Sequence, residues 1–159
     1  MWKHLRSASP ALLLVAGTLA AIATSAAEPS VAHTFKDAQL QWGPCPPFLP
    51  EGCAIAVLHG DPAQPNVDVF FKVPGGATIP SHTHTSAERM VLVSGELDVS
   101  YAGEPTKKLK AGMYAYGPAG KPHSAVCAKG APCVLFIAFE SPLDAMPAEV
   151  SARGAGRAP

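Results

Sequence analysis

Short segments rich in apolar and β-branched residues, several of them alternating with polar residues, recur along most of this chain. The segments cover residues 37–42, 53–58, 67–73, 78–84, 89–94, 97–101, 107–109, 113–116, 123–128 and 133–140. Turn residues such as Gly75-Gly76 and Gly117-Pro118 separate them. Because closely spaced short segments of this kind predict strands and no internal stretch reads as a helix, the pattern predicts an all-β sandwich or barrel.

The first 27 residues follow a different pattern. The basic residues Lys3 and Arg6 precede an apolar run over residues 11–23, which ends before the small pair Ala26-Ala27. This order is typical of a secretory signal peptide, here cleaved after Ala27. The apolar run is also shorter than the roughly 20 residues that a membrane-spanning helix needs. We therefore expect a periplasmic or secreted protein without stable membrane insertion after cleavage, and a retained membrane anchor is the weaker alternative.

The rest of the chain fits one domain, because a length of 159 residues is close to the usual size of a single domain. After the signal peptide (residues 1–27), we expect an N-terminal arm and first strands over residues 28–64 and a barrel core over residues 65–140. Residues 141–159 should form a C-terminal loop and a disordered tail, since residues 151–159 have nothing apolar to bury.

The charge balance argues against nucleic acid as a partner. Removing Lys3 and Arg6 from the twelve basic residues leaves ten basic against twelve acidic residues, a net charge of −2. The one basic cluster, residues 107–110, is more simply explained as a solvated hairpin edge than as a polyanion site. Nucleic acid is therefore not an expected partner.

Four cysteines in an exported chain favour disulfides over free thiols. Cys45 and Cys53 flank a proline-rich loop, and Cys127 and Cys133 flank a turn. Local pairing within each couple needs the least rearrangement, although the sequence leaves the other two pairings open. Metal ligation by Cys127 is the rival role, because it shares strand parity with His123 four residues earlier.

A chelating pair stands out within the predicted strands. His82 and His84 are separated by one residue, so in an extended strand both imidazoles point to the same face, about 7 Å apart at their Cα atoms. Glu88 follows shortly after, at the foot of the next predicted strand, which we expect to adjoin the histidine strand, and His123 opens a strand farther along the chain. Two or three nitrogens beside one carboxylate oxygen suit a transition metal better than Ca or Mg.

These residues lie on two spaced motifs that resemble those of the cupin family. The motifs read Gly76-x5-His82-x-His84-x3-Glu88-x6-Gly95 and Gly112-x5-Pro118-x-Gly120-x2-His123. The resemblance covers roughly residues 65–140 and departs at Cys127, where many cupins carry Asn. It implies a double-stranded β-helix, or jelly-roll barrel, in which His82, His84, Glu88 and His123 hold one metal ion. It also implies a homodimer, which many cupins form.

One divalent transition metal, Fe, Mn, Ni or Zn, is the expected cofactor. Four protein ligands would leave two positions open on an octahedral ion and fewer on Zn(II). As cavity-lining candidates we take Phe70, Met90 and one of the pair Tyr114 and Tyr116, for which core packing is the alternative.

Two functions remain open at this point. The first is a small metalloenzyme, by resemblance oxygenase- or isomerase-like, that acts on a small oxygenated organic molecule. The second is a non-catalytic metal- or ligand-binding or sensing module, for which the cupin half of ChrR-type anti-sigma proteins is a precedent.

Overall fold

The computed structural model describes residues 28–148. The chain divides after Val31 into two units, and the described strands all lie in the unit that begins at Ala32. The signal-peptide prediction for residues 1–27 and the disordered-tail prediction for residues 151–159 fall outside the described residues. Within the described range, no helix has the length and hydrophobicity that a membrane crossing requires.

Eleven short strands in two antiparallel sheets make up the fold of this range. They are β1 (Trp42–Pro44), β2 (Ala54–His59), β3 (Val67–Val73), β4 (Thr78–Thr83), β5 (Glu88–Ser94), β6 (Glu96–Tyr101), β7 (Lys107–Lys110), β8 (Tyr114–Gly117), β9 (His123–Cys127), β10 (Cys133–Phe139) and β11 (Met146–Pro147). The first sheet has the order β1-β2-β3-β10-β5-β8 and the second the order β11-β4-β9-β6-β7. This architecture confirms the prediction of an all-β jelly roll.

Alternating side chains from both sheets form the core. On β3, Val67, Val69 and Val73 are at most 1% exposed, and from the other sheet Leu97 and Val99 are 2% and 3% exposed. Full burial of each such side chain contributes about 1.5–3 kcal/mol. The inward-facing rows therefore hold the two sheets together and fix the positions of the polar residues that share them.

A bulge in β4 brings two of the histidines together. Ile79 pairs with Ala125 of β9, but the next pair along is His82 with His123, so the register shifts by one residue between them. Pro80 lies within this shift and has no N–H to donate to the sheet, which makes it a residue that bulges tolerate. The bulge lets both Ile79 and His82 face the interior, which strict alternation would forbid.

Gly95 forms the sharp connection by which the chain passes from β5 in one sheet to β6 in the other. Its φ is 82°, a conformation that favours glycine. A Cβ atom there would also lie 2.9 Å from Cys133 Sγ and 2.9 Å from the Pro132 carbonyl oxygen. The turn therefore needs glycine for both its backbone conformation and its close packing.

Both local disulfides are present. Cys45 is bonded to Cys53, and Cys127 is bonded to Cys133. The second bond joins the end of β9 to the start of β10, and no free cysteine occurs in the described range. Cys127 is therefore part of a disulfide rather than a metal ligand.

The predicted first strand is wrong. Only Trp42 of residues 37–42 belongs to a strand, because β1 covers Trp42–Pro44. Upstream, the backbone N–H and hydroxyl of Thr34 donate to the Asp37 carboxylate at 2.9 and 2.7 Å. These local bonds stabilise a turn in competition with an extended strand.

Candidate metal centre

Three buried imidazoles converge at the interior face of the second sheet. His82 lies on β4, His84 just beyond its end and His123 at the start of β9. Their ring centroids are 4.2 Å apart for His82 and His123, 4.9 Å for His82 and His84, and 5.4 Å for His84 and His123. One nitrogen from each ring falls within a group spanning at most 4.8 Å, a set that could hold a metal ion.

Backbone carbonyl groups fix the orientation of all three rings. His82 Nδ1 lies 2.8 Å from the Pro80 oxygen and His123 Nδ1 lies 3.1 Å from the Lys121 oxygen. His84 Nδ1 makes a short contact with the Asp144 carbonyl oxygen. A carbonyl oxygen can only accept, so each Nδ1 carries the proton and donates it. This assigns the lone pair of each neutral ring to Nε2, as is usual for histidines that bind metals.

Glu88 supplies a carboxylate from the opposite side. It is the first residue of β5 and pairs with Phe139 of β10 and Gly117 of β8. We expected Glu88 on a strand adjoining the histidine strand, but β5 belongs to the other sheet. Its Oε1 lies 3.2 Å from His84 Nε2, and its Oε2 lies 3.2 Å from His123 Nε2.

Two atoms of this group lack the partner that their burial calls for. His84 Nε2 and Glu88 Oε2 are buried without a hydrogen bond of good geometry, so we treat the 3.2 Å contacts as electrostatic. Leaving a buried polar atom unpaired costs about 1–3 kcal/mol. A cation would satisfy both atoms. Three imidazole nitrogens with one carboxylate form a donor set that suits a divalent transition metal.

The ionisation of the group reflects its burial and its mutual contacts. Burial, reinforced by the charge of protonated His123, lowers the pKa of His82 to about 4. Burial alone would raise the pKa of Glu88, but the contact with His123 and the charges of the neighbouring histidines hold it below its usual range. Burial acts to lower the pKa of His123, but Glu88 outweighs it and raises this pKa. The carboxylate is therefore ionised, and Glu88 supplies the negative charge of the group.

The segment after β10 is tied to the histidine loop. Thr85 donates its backbone N–H to Asp144 Oδ1 at 2.9 Å and its hydroxyl to Asp144 Oδ2. The buried hydroxyl of Ser86 accepts from the backbone N–H groups of Glu140 and Ser141 at 2.8 and 3.2 Å. β11 then pairs with β4. The predicted C-terminal loop thus includes the short strand β11. The carbonyl group that contacts His84 belongs to Asp144, just before this strand.

An apolar cavity of about 240 Å³ surrounds the group. Side chains from both sheets line it, as do Pro46 and Leu49 from the loop that the Cys45–Cys53 disulfide closes. Phe48 of the same loop has its ring centroid 6.2 Å from that of His82. The four polar residues therefore face a space from which much of the bulk solvent is excluded.

Of the cavity-lining candidates, Met90 alone contributes to the wall. Tyr114 and Tyr116 are 57% and 51% exposed, because the inward positions of β8 belong to Ala115 and Gly117. Phe70 is buried, but the inward position next to it belongs to Phe71, which lines the cavity. The expectations for Tyr114, Tyr116 and Phe70 were wrong.

The sequence reading missed Tyr101, the aromatic residue behind Glu88. Its side chain is 3% exposed, its hydroxyl has no hydrogen-bond partner, and its ring centroid lies 5.2 Å from that of His123. Burial and the charge of Glu88 raise its pKa, so it is protonated. A Cβ atom on Gly117 would lie 3.0 Å from Glu88 Oε2 and 3.1 Å from the Tyr101 hydroxyl, so glycine leaves room for both. Alternation of Leu97, Val99 and Tyr101 along β6 was the signal available.

Comparison with known proteins agrees with this fold. A family described as "Cupin domain" matches residues 69–139. A structure of the DMSP lyases RdDddP and RnDddQII is similar with a TM-score of 0.61 at 18% identity, covering 69% of this chain and 63% of that one. This chain likewise spans 63% of the DMSP lyase DddQ from Ruegeria pomeroyi. Comparison with curated proteins gives no match.

Two other similar structures are covered more fully. The polyketide cyclase RemF from Streptomyces resistomycificus has a TM-score of 0.60 at 18% identity, with 77% of this chain and 89% of that chain covered. An RmlC-like cupin from Shewanella frigidimarina has a TM-score of 0.55 at 24% identity, with 70% and 93% covered. At these identities the likeness concerns the fold. Together with the family match, it identifies residues 69–139, the barrel strands of this chain, as a cupin domain.

Proposed function

We propose that this protein is an exported metal-binding cupin that works as a small metalloenzyme on a small oxygenated organic molecule. The observation that carries the proposal is the convergence of three imidazoles, each with Nδ1 held by a backbone carbonyl group, within one apolar cavity. Oxygenase- or isomerase-type chemistry is the reaction class that we assign to it.

In this proposal His82, His84, Glu88 and His123 hold one divalent transition metal, Fe, Mn, Ni or Zn. The carbonyl groups of Pro80, Asp144 and Lys121 hold the rings in the tautomer that binds metals. The buried atoms that lack partners, His84 Nε2 and Glu88 Oε2, support the same assignment.

When bound, such a metal supplies Lewis acidity and a place for an oxygenated substrate to bind. The chain's own residues supply the remainder. The apolar wall keeps bulk water from the substrate, which strengthens electrostatic interactions inside the cavity. The lowered pKa of Glu88 keeps its carboxylate ionised. The carboxylate can therefore bind the metal, or accept a proton from the substrate when it is not bound to the metal.

Several proteins of similar fold are enzymes, which supports the proposal of an enzyme that acts on a small molecule. They include DMSP lyases, a polyketide cyclase and an oxalate decarboxylase. The alternative is a non-catalytic metal- or ligand-binding module. It would have the same metal site, so turnover is what separates the two functions.

Export and assembly are further parts of the proposal. Two disulfides are compatible with an oxidising compartment outside the cytoplasm, and the signal-peptide pattern of residues 1–27 supports the same address. The homodimer stays a prediction, which size-exclusion chromatography with light scattering would test.

The test begins with the mature chain, residues 28–159, purified from the periplasm and analysed for metal. We expect one transition metal per chain in the wild type, and none in His84→Ala although this variant still folds. The matched control is His33→Ala, because His33 does not belong to the candidate site. Its Nδ1 instead lies 3.4 Å from Asp37 Oδ2. Loss of metal from the control, or retention by His84→Ala, would refute the ligand assignment.

Turnover is measured next, on the metal-loaded protein. Diketones, flavonols, catechols and DMSP form the first panel, with oxygen consumption and product analysis as readouts. Turnover that His84→Ala lacks would support the enzyme. Stoichiometric metal without turnover, and without an added ligand that binds it, would favour the binding module.

A further inference from the structure

The wall of the cavity carries almost no polar chemistry outside the metal centre. Its side chains are aliphatic and aromatic and come from both sheets, among them Val69, Phe71, Met90, Val99, Ile137 and Phe139. A substrate hydroxyl or carboxylate pressed against this wall would lose its water without gaining a partner there. The wall therefore favours an apolar body on whatever the site binds.

The charge in the cavity is small and can be counted. No lysine or arginine occurs among the described residues that line it, and the charged side chains there are the carboxylates of Glu88 and Asp144. At the metal centre itself, three neutral imidazoles, a divalent cation and Glu88 give a net charge of +1, and Asp144 brings the sum over the cavity lining to zero. A singly charged ligand neutralises the centre, whereas a doubly charged one leaves an uncompensated anion in an apolar space.

Asp144 strengthens this bias. Its carboxylate is already held by the N–H and hydroxyl of Thr85, the residue after His84, and it adds negative charge to the cavity lining. The size of the cavity sets a further limit. At about 240 Å³ it is smaller than the roughly 300–1,000 Å³ of sites for drug-sized ligands.

We propose, on the basis of the proposed function, that the site takes a neutral or singly charged chelating molecule with a compact apolar body. Dianions and polyhydroxylated molecules are excluded, because the wall has neither cations nor hydrogen-bond partners for them. This narrows the substrate class within the small oxygenated molecules assigned above.

Two ligand series test the proposal on the Co(II)-loaded mature protein. Straight-chain alkyl hydroxamates bind metals as monoanions, and alkylmalonates of matched chain length bind them as dianions. Calorimetry gives the affinity, and visible absorption of the cobalt shows that the ligand has reached the metal. We expect each added methylene to tighten hydroxamate binding by about fourfold until the cavity is full. The matched malonates should bind at least tenfold more weakly.

Adjacent residues on β3 provide a matched pair of variants. Phe71 lines the cavity and Phe70 does not. Phe71→Ala, with the milder Phe71→Leu beside it, should move the affinity maximum to longer hydroxamates. Phe70→Ala should leave the chain-length profile where it is in the wild type.

The outcomes separate this inference from the proposed function. A protein that binds no metal overturns both. A protein that binds metal but shows no dependence on chain length, or binds malonates as tightly as hydroxamates, overturns the inference alone. A chain-length profile that shifts equally in the Phe70 and Phe71 variants also overturns it.

Discussion

Asp144→Ala should weaken metal binding without removing a metal ligand. In the structure the Asp144 carboxylate accepts two hydrogen bonds from Thr85, and the carbonyl group of the same residue accepts from His84 Nδ1. The substitution keeps that carbonyl group but releases the carboxylate that anchors it. The ring of His84 then loses its fixed orientation.

The expected magnitude follows from the contacts. Hydrogen bonds to a charged group contribute about 1.5–3 kcal/mol when buried, and these two are exposed. We therefore expect the free energy of unfolding to fall by about 1–2 kcal/mol in total. Outer partners of metal-binding histidines typically account for 10- to 100-fold in affinity. In free energy this corresponds to a loss of about 1.4–2.7 kcal/mol of binding.

Competition titration against a chromophoric chelator measures the affinity, and urea unfolding of the metal-free protein measures the stability. Asp61→Ala is the matched control, because the Asp61 carboxylate also accepts a backbone N–H, from Ala63 at 2.9 Å, in an exposed turn. Its metal affinity should equal that of the wild type. An Asp144→Ala affinity within twofold of the wild type, or an equal loss in both variants, would refute the reasoning.

Three further predictions concern single groups. Tyr101→Phe should raise the free energy of unfolding of the metal-free protein by about 1 kcal/mol, because it removes a buried hydroxyl without a partner; chemical denaturation would contradict this if stability fell. Replacing both Cys45 and Cys53 by Ser should lower the free energy of unfolding by about 2.5 kcal/mol, as expected for a cross-link spanning eight positions, and equal urea midpoints would refute it. The pKa of His82 is about 4 in the folded protein and 6.5 in the unfolded chain. Protonation of this residue should therefore lower the free energy of unfolding by about 3 kcal/mol as the pH falls from 7 to 4. The raised pKa of His123 should instead increase the free energy of unfolding as the pH falls. The difference between the pH–stability curves of the wild type and His82→Gln therefore isolates the contribution of His82. Identical curves would argue against it.

Much of the strand pattern could be predicted from local alternation. Residues 67–73 form β3 at the predicted bounds, and most other strands agree within a residue or two. The three histidines also meet, as their spacing and family resemblance implied. The spacing of His82 and His84 was informative because residues separated by one position on a strand point to the same face. That relation depends only on the local geometry of the strand.

The sheet that each strand joins could not be read in the same way. Glu88 follows the histidine pair closely along the chain, yet it lies on the opposite sheet because β5 pairs with β10 and β8. These partners are distant in sequence, and their pairing depends on the whole barrel. The bulge at Pro80 is similar, since its effect becomes visible only when β9 is placed beside β4.

The cavity wall was the least predictable part. Tyr114 and Tyr116 were attractive as large aromatic residues, but at position 117 the space behind β8 is already filled by Glu88 and Tyr101. The inward positions of β8 hold the small residues Ala115 and Gly117, and the tyrosines take the outer face. Size and hydrophobicity alone do not reveal which face of a short strand has room.

The four residues of the proposed metal centre come from two different sheets. Three imidazoles come from one sheet and the carboxylate from the other, so the complete set does not exist until both sheets have closed. An ion held by all four residues of the proposed centre would therefore bridge the two sheets and stabilise the closed barrel. Since such donor sets rank metals mainly by the Irving–Williams order, the occupant would be decided by which ions are available where closure takes place.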